Sequence, residues 1–340
     1  MAISEFEIIE RYFSALDLQD EQMHIVLGIG DDGAVLDTPT GYQQCISTDL
    51  LLESIHFPAA ADPFLLGQRA LAVNLSDLAA MGAEPLCFTL GIALPAYDEH
   101  WLTAFSKGLS SIAQQYHCPL VGGDTTRGSL TISIQVHGLV KSGQALRRDG
   151  ANVGDHVLVT GSLGKGALAL AALGVPVHFD HSLHEQLATL GSSENEKLQQ
   201  YFYSPQPRLG FARQAAPLIN AALDISDGLA GDLQHILDRS RVGARVYMEK
   251  LPLDSLFADY VERQQRQSAA LYGGDDYELC LTVAAENLPD VHAIAEQHSL
   301  ALTDIGEIEA EPGLRLVDAA GNQQDGAALS FDHFKAGQDS

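Results

Sequence analysis

Five short acidic motifs stand at the ends of apolar runs: Gly30-Asp31-Asp32, Ser47-Thr48-Asp49, Asn74-Leu75-Ser76-Asp77, Gly122-Gly123-Asp124-Thr125-Thr126 and Asp224-Ile225-Ser226-Asp227-Gly228. The runs before them (26–29, 45–46, 71–73, 120–121 and 221–223) read as buried strand or helix ends. A carboxylate at such a place must be hydrated, paired or bound to metal, because an unpaired buried charge is very costly. Too few cations lie nearby in sequence to pair them all. Hard oxygen ligands gathered on a cleft are what Mg²⁺ with a phosphorylated substrate requires.

The charge balance sharpens that reading. Lys and Arg number 19 against 45 Asp and Glu, a net charge of −26. Such a surface repels nucleic acid and anionic lipid, so neither is an expected partner. It repels nucleotides too, so a chain of this charge that handles phosphate esters needs divalent ions. Scattered acids such as Glu286 and Asp290 read as solubilising surface. Gly161-Ser162-Leu163-Gly164-Lys165-Gly166 imitates a P-loop, but its spacing is too short and Gly166 stands where Ser or Thr should hold Mg²⁺. A tight strand-to-helix turn is the expectation there. Kinase H-R-D and D-F-G motifs and the H-E-x-x-H zinc motif are missing from the sequence, and the histidines are dispersed. Phosphate would then fall to the Gly122-Gly123 backbone, to metal on Asp124, and to Arg147-Arg148, a pair that a solvated turn explains as well. Asp227 suits a helix N-cap by itself; Asp224 has no such account.

These motifs need elements to position them. At 340 residues with 46% hydrophobic content, the chain can bury a substantial core and form two domains. Glu5 to Leu16 is amphipathic and reads as a helix, with further helical spacing over 63–81 and 98–116, started by Pro63 and Asp98. Strand-like runs fall at 26–28, 44–47, 87–93 and 130–140, the last alternating in period two. Antiparallel strands with helices on one face predict an α+β fold. The Gly-rich basic stretch 141–154 predicts a domain joint. Beyond it, strands are expected at 155–160, 221–225, 245–248 and 277–283, with helices at 164–173, 227–239 and 288–298. The polar stretch 178–207 reads as an insertion that is helical in patches. An internal echo pairs Asn74–Asp77 with Asp224–Asp227, each read as opening a helix, and Gly122–Asp124 with Gly273–Asp275. The most apolar region, 71–94, is interrupted by Asp77 and Glu84, so no membrane span is expected. No basic segment followed by an apolar stretch marks the first seven residues, and the four cysteines lack C-x-x-C spacing. A reducing cytoplasm is the expected location.

The ordered set Gly28–Asp32, Ile46–Asp49, Asn74–Ala83, Gly122–Gly128, Asp224–Leu229 and Gly273–Leu279, with His56 and the Asp-His-Phe end at 332–334, resembles the thiamine-monophosphate kinases. These belong to the aminoimidazole-ribotide-synthetase-like superfamily, and the likeness runs from about Phe6 to Phe334. It implies two α/β domains, 1–147 for ATP, Mg²⁺ and dimerisation and 148–334 after it, with a tail at 335–340. It also implies that the first sheet pairs with a second subunit in a dimeric β-barrel. The reaction implied is ATP-dependent phosphorylation of thiamine monophosphate (TMP) to thiamine diphosphate, with several Mg²⁺ ions and ATP as co-substrate.

Carried over by motif, Asp32, Thr48, Asp49, Asp77, Asp124, Asp224 and Asp227 would ligate Mg²⁺, with Ser47 adding backbone. Among these, Asp77, Asp124 and Asp227 are expected to be catalytic. Tyr116, Gly123, Asp124, Arg148 and Ser226 would contact ATP; His56, Asp275 and Phe331 would contact the thiamine moiety. Asp275 stands where the family commonly carries Glu, and Phe331 where Tyr or Trp is common. Read without the family, His56 is an ordinary histidine and Phe331 a core aromatic. A two-metal phosphohydrolase would use the same carboxylates with water as nucleophile. Other ATP-using members of the superfamily also stay open on the motifs alone, although the reactive cysteines of the selenium and hydrogenase-maturation enzymes have no counterpart here.

Overall fold

A computed structural model describes residues 4–16, 24–175, 177, 180, 182–187, 190 and 192–326. Phe331, the 332–334 end and the 335–340 tail lie outside the described residues, as do several positions of 178–207. The chain divides into two compact units, Met1–Leu78 with Ala83–Ala145, and Ala79–Gly82 with Leu146–Ser340.

In the first unit α1 (Glu5–Ile8) continues through a π-helical turn, Ile9–Phe13, and a 3-10 turn, Ser14–Leu16, so the amphipathic stretch is helical but not uniformly α. A small antiparallel ribbon, β1 (Ile25–Leu27) and β2 (Val35–Leu36), brackets the Gly30-Asp31-Asp32 turn. There follow β3 (Tyr42–Leu52), α2 (Pro63–Ala80), β4 (Glu84–Leu94), α3 (Glu99–Gln115), β5 (Leu120–Arg127) and β6 (Thr131–Lys141). Asp98 caps α3 as its sequence position suggested, its Oδ1 accepting from the N–H groups of His100 at 2.9 Å and Trp101 at 3.0 Å.

The sheet order is β3-β6-β4-β5. Its first two pairs are antiparallel as expected, but β4 and β5 run parallel, which makes the sheet mixed. The alternation over 130–140 has its physical meaning in β6. Ile132, Ile134 and Val136 are buried on one face, while Ser133, Gln135 and His137 are half-buried on the other. On that second face Ile46 and Leu50, paired with His137 and Ser133, remain 55% and 50% exposed. One reading needs correction here. Asn74–Asp77 opens no helix, because α2 runs unbroken from Pro63 to Ala80. Gly122-Gly123-Asp124, which follows the 120–121 run, lies inside β5.

The second unit contains β7 (His156–Thr160), α4 (Lys165–Ala172), α5 (Leu183–Leu187), α6 (Ser192–Tyr203), α7 (Leu209–Ala215), β8 (Ala221–Asp224), α8 (Leu229–Ser240) and β9 (Gly243–Tyr247). It ends with α9 (Arg263–Tyr272), β10 (Leu279–Val283), α10 (Leu288–Gln297), β11 (Leu302–Glu309), β12 (Gly313–Val317) and β13 (Gln323–Asp325). The sheet order is β13-β12-β9-β11-β7-β10-β8, antiparallel throughout except for the β9–β12 pair. Strand residues such as Val157, Val159, Leu223 and Cys280 meet Leu229, Leu233 and Ile236 of α8 in one apolar core. All four cysteines are buried free thiols. Among the described residues no helix is long and apolar enough to cross a membrane.

Candidate active site

In the first unit a cavity of about 490 Å³ is lined on one side by Glu5, Ile9 and Phe13, and on another by Ile29 to Gly33. Its remaining wall is Leu90 with Leu120 to Thr125. Asp32, Gly123 and Asp124, named from the sequence, therefore share one cavity, and Asp31 joins them. The two glycines of β5 differ in what they offer. A Cβ on Gly123 would stand 1.8 Å from the carbonyl oxygen of Leu90, so its bareness serves strand packing; nothing lies within 4 Å of such an atom on Gly122. Gly122 is thus the position where backbone stands open to a ligand.

Ser47, Thr48 and Asp49 are consecutive in β3, so they cannot all present side chains on one face. Ser47 and Asp49 face α2: Ser47 Oγ donates to Asp77 Oδ2 at 2.5 Å, and the Asp49 N–H donates to Asn74 Oδ1 at 3.0 Å. Thr48 points to the opposite face, where its Oγ1 accepts from Gln135 Nε2 at 3.1 Å. Asn74 and Asp77 lie three residues apart on α2, hence on one side of that helix. Asn74 is 1% exposed and held by its own amide donating to the Ala70 carbonyl at 2.9 Å. It is a residue the motif contains and the sequence reading left without a role. His56 sits in the turn after β3, its Nδ1 accepting from the Leu52 N–H at 3.0 Å. Tyr116 is the C-cap of α3.

The second unit assembles a separate set. Asp224 ends β8 and is buried; Asp227 is exposed; Ser226 between them is half-buried. The 224–228 turn is fixed by a carboxylate that sequence reasoning missed. Asp232, in the first turn of α8, accepts the N–H groups of Ser226 at 3.0 Å and Asp227 at 2.9 Å. Burial, and then the neighbouring negative charge of Asp227, push the Asp232 carboxyl well above the usual carboxylate range. From the other side the Asp275 N–H donates to the Ser226 carbonyl and the Tyr277 N–H to that of Ile225, both at 2.8 Å. The echoing Gly-Gly-Asp motif at 273–275 is therefore the clamp on the Asp-Ile-Ser-Asp turn. Arg148 is exposed, its carbonyl accepting from Ser240 Oγ at 2.8 Å, while Arg147 pairs with Asp149.

The false P-loop forms the tight strand-to-helix turn expected of it, between β7 and α4. Its N–H groups hold a carboxylate of the protein itself. Asp276 accepts from Gly164 N at 2.7 Å and Gly166 N at 3.1 Å. Burial pushes this carboxyl up to about 7, against the opposing pull of those N–H groups and of Lys165. Beside it Glu278, 1% exposed, accepts from Thr160 Oγ1 at 2.8 Å, Lys165 Nζ at 2.7 Å, and Arg208 Nε and Nη2 at 2.7 and 2.6 Å. Burial alone would raise its carboxyl; the hydrogen bonds of Arg208 and the charge of Lys165 outweigh that and hold it below the usual range.

Every candidate metal donor is an oxygen, the choice of Mg²⁺ and not of zinc. Among the described residues no three His, Cys, Asp or Glu side chains gather tightly enough to hold an ion alone. Mg²⁺ that carries phosphate takes one or two carboxylates and completes its shell with water and phosphate oxygens.

Two mixed sheets, each with a single parallel pair, and a Gly-Asp-rich cavity define a class. Residues 30–140 match the family of the AIR synthase related protein, N-terminal domain, and residues 152–319 its C-terminal domain. Within that class, the thiamine-monophosphate kinase of Salmonella typhimurium is 39% identical over 98% of this chain and 97% of its own. The crystal structure of thiamine-monophosphate kinase from Stenotrophomonas maltophilia K279a superposes with a TM-score of 0.81 at 40% identity, covering 93% of this chain and 97% of that one. A structure described as AaThiL complexed with AMPPCP and TMP aligns with a TM-score of 0.74 at 28% identity, over 98% of this chain and 99% of that one. The chain belongs to the thiamine-monophosphate kinases and is an enzyme of that kind.

Proposed function

We propose that this chain transfers the γ-phosphoryl group of ATP directly to TMP, giving thiamine diphosphate and ADP. The reading is supported by the acidic, glycine-lined cavity of the first unit and by the relative that binds AMPPCP, an ATP analogue, together with TMP. The acceptor is itself a phosphate with a second pKa near ~6, largely dianionic at neutral pH, so no protein base has to deprotonate it. What the chain must supply is the approach of two polyanions. Asp32, Asp49, Asp77, Asp124, Asp224 and Asp227, with the Ser47 backbone, are the proposed Mg²⁺ ligands; Thr48, whose side chain points to the opposite face of β3 and bonds Gln135, leaves the set expected from the motif. Mg²⁺ held by these oxygens would supply the positive charge that offsets the phosphates of both reactants, and the residues that hold it would set the line of attack opposite the departing ADP.

The residues have distinct tasks. Asn74 and Asp77 hold the 47–49 segment of β3 against α2, so its oxygens are fixed before substrate arrives. Asp232 does the same for Ser226 and Asp227. Gly122, Gly123, Tyr116, Ser226 and Arg148 are assigned to ATP; His56, Asp275 and Phe331 to the thiamine end, where an aromatic ring suits a cationic heterocycle. A homodimer accords with the Ile46 and Leu50 face of the first sheet, more apolar than a solvated strand needs. The cytoplasm is the compartment the reading implies, in keeping with four unpaired thiols.

Phosphorus NMR of the protein with Mg²⁺, ATP and TMP, against a control without TMP, tests the reading. Thiamine diphosphate with equimolar ADP, absent from the control, is the expected result. ADP and free phosphate in both tubes would identify a hydrolase instead.

A further inference from the structure

We propose that Asp276 is a positioning residue, whose carboxylate, seated on the N–H groups of the 164–166 turn, fixes the strained 274–277 loop and so presents Asp275 to substrate. The inference rests on the reading that Asp275 meets the thiamine end of TMP.

The loop carries three left-handed residues among four: Gly274 at φ 70°, Asp275 at 60° and Tyr277 at 49°. For Asp275 and Tyr277 this conformation is unfavourable and persists only where the surroundings impose it. The two backbone bonds to Ser226 and Ile225 hold the loop on one side. On the other side stands Asp276, 2% exposed, taking the N–H groups of Gly164 and Gly166 around the start of α4. A helix is ordinarily capped by the residue preceding it. Here that residue is Gly164, without a side chain, and the cap comes from 112 residues away. The helix end and the loop therefore fix each other. Contact is close enough that a Cβ on Gly166 would lie 2.1 Å from the Asp275 carbonyl oxygen. Tyr277 closes the arrangement, its hydroxyl 3.4 Å from Asp275 Oδ1. The set acts on the geometry of the loop, and so dictates where Asp275, the carboxylate assigned to TMP, stands.

The test compares Asp276→Asn with Thr160→Val in the full-length enzyme. The amide of Asn keeps one acceptor and turns an N–H group against a second N–H donor, so the seat fails on one side. Thr160→Val removes the bonds to Glu278 and from the Leu279 N–H in the same core and leaves both bonds of Asp276 in place. Asp276→Asn is expected to raise KM for TMP about tenfold, the worth of one charge-assisted hydrogen bond, while Kd for ATP measured without TMP changes less than about twofold. Thr160→Val is expected to lower the melting temperature without separating the two constants. Gly166→Ala, which keeps the carboxylate but pushes on Asp275, should reproduce the separation and serves if Asp276→Asn does not fold. Equal shifts in both constants, or no shift in KM for TMP, overturn the proposal. If the unmodified chain does not phosphorylate TMP, the functional reading falls first, and that result is distinct.

Discussion

Replacing Glu278 by Gln should cost more stability than any exposed ion pair can supply. The carboxylate is 1% exposed and accepts four hydrogen bonds, three of them from Lys165 and Arg208, whose side chains are 13% and 22% exposed. Gln preserves shape but offers one acceptor oxygen, and its amide faces donors that then lack an acceptor. Losing about two bonds to charged groups while leaving two partly buried cations uncompensated costs about 3–5 kcal/mol. In a unit of this size that lowers the melting temperature by roughly 6–20 °C. Calorimetry at neutral pH on wild type, Glu278→Gln and Arg147→Ala measures it. The Arg147–Asp149 pair, with side chains 68% and 42% exposed, is the control, expected to matter by less than about 1 kcal/mol. Because the folded Glu278 carboxyl lies below its ordinary 4.5, its stabilisation is complete above that pH and fades only as pH falls through the lower folded value. The gap between wild type and Gln should therefore persist down to about pH 4.5 and close below it. A melting-temperature loss no larger than that of Arg147→Ala would refute the argument that burial makes this cluster strong.

Three further outcomes are expected. Asp77→Asn should reduce turnover by about 10²–10³, as loss of a preorganised electrostatic group does, with TMP affinity changed only a few-fold; a coupled ADP assay and equilibrium binding separate the two. Gly123→Ala should disrupt the β4–β5 pairing and depress soluble yield, whereas Gly122→Ala, with open space around it, should fold and instead weaken ATP binding. For Asp276 the folded carboxyl is raised, so the folded state binds the extra proton between the ordinary 3.8 and about 7. Stability owed to it therefore declines as pH rises across that window and is flat above it, and Asp276→Asn should flatten that slope in a melting-temperature profile.

Much of the scaffold was legible in the chain. Asp98 and Pro63 start their helices as capping chemistry dictates, and the alternation from Leu130 to Val140 reports a half-covered strand. β5 was hidden because Gly-Gly-Asp-Thr-Thr carries loop chemistry; only its pairing with β4 makes it a strand. α9, rich in Arg and Gln, lacked the apolar stripe that marks a helix, and its burial is confined to positions near its end. The acidic motifs announced themselves through Asp and Gly. The residues that hold those motifs did not: Asp232 acts on backbone N–H groups, and Asp276 and Glu278 find partners more than a hundred positions upstream. No local pattern encodes such a pairing. The period of β3, by contrast, already separates Thr48 from Ser47 and Asp49.

The turn from Gly161 to Gly166 has one more consequence, in the terms of competition between tethered and free ligands. Asp276 is held beside its N–H groups by the chain, at an effective concentration on the order of millimolar or above. Free phosphate or a nucleotide tail must displace a partner that never diffuses away, and must shed its own hydration in a buried place to do so. The turn is self-inhibited as an anion site. Raising phosphate in the assay should therefore act on catalysis only through the nucleotide and TMP subsites.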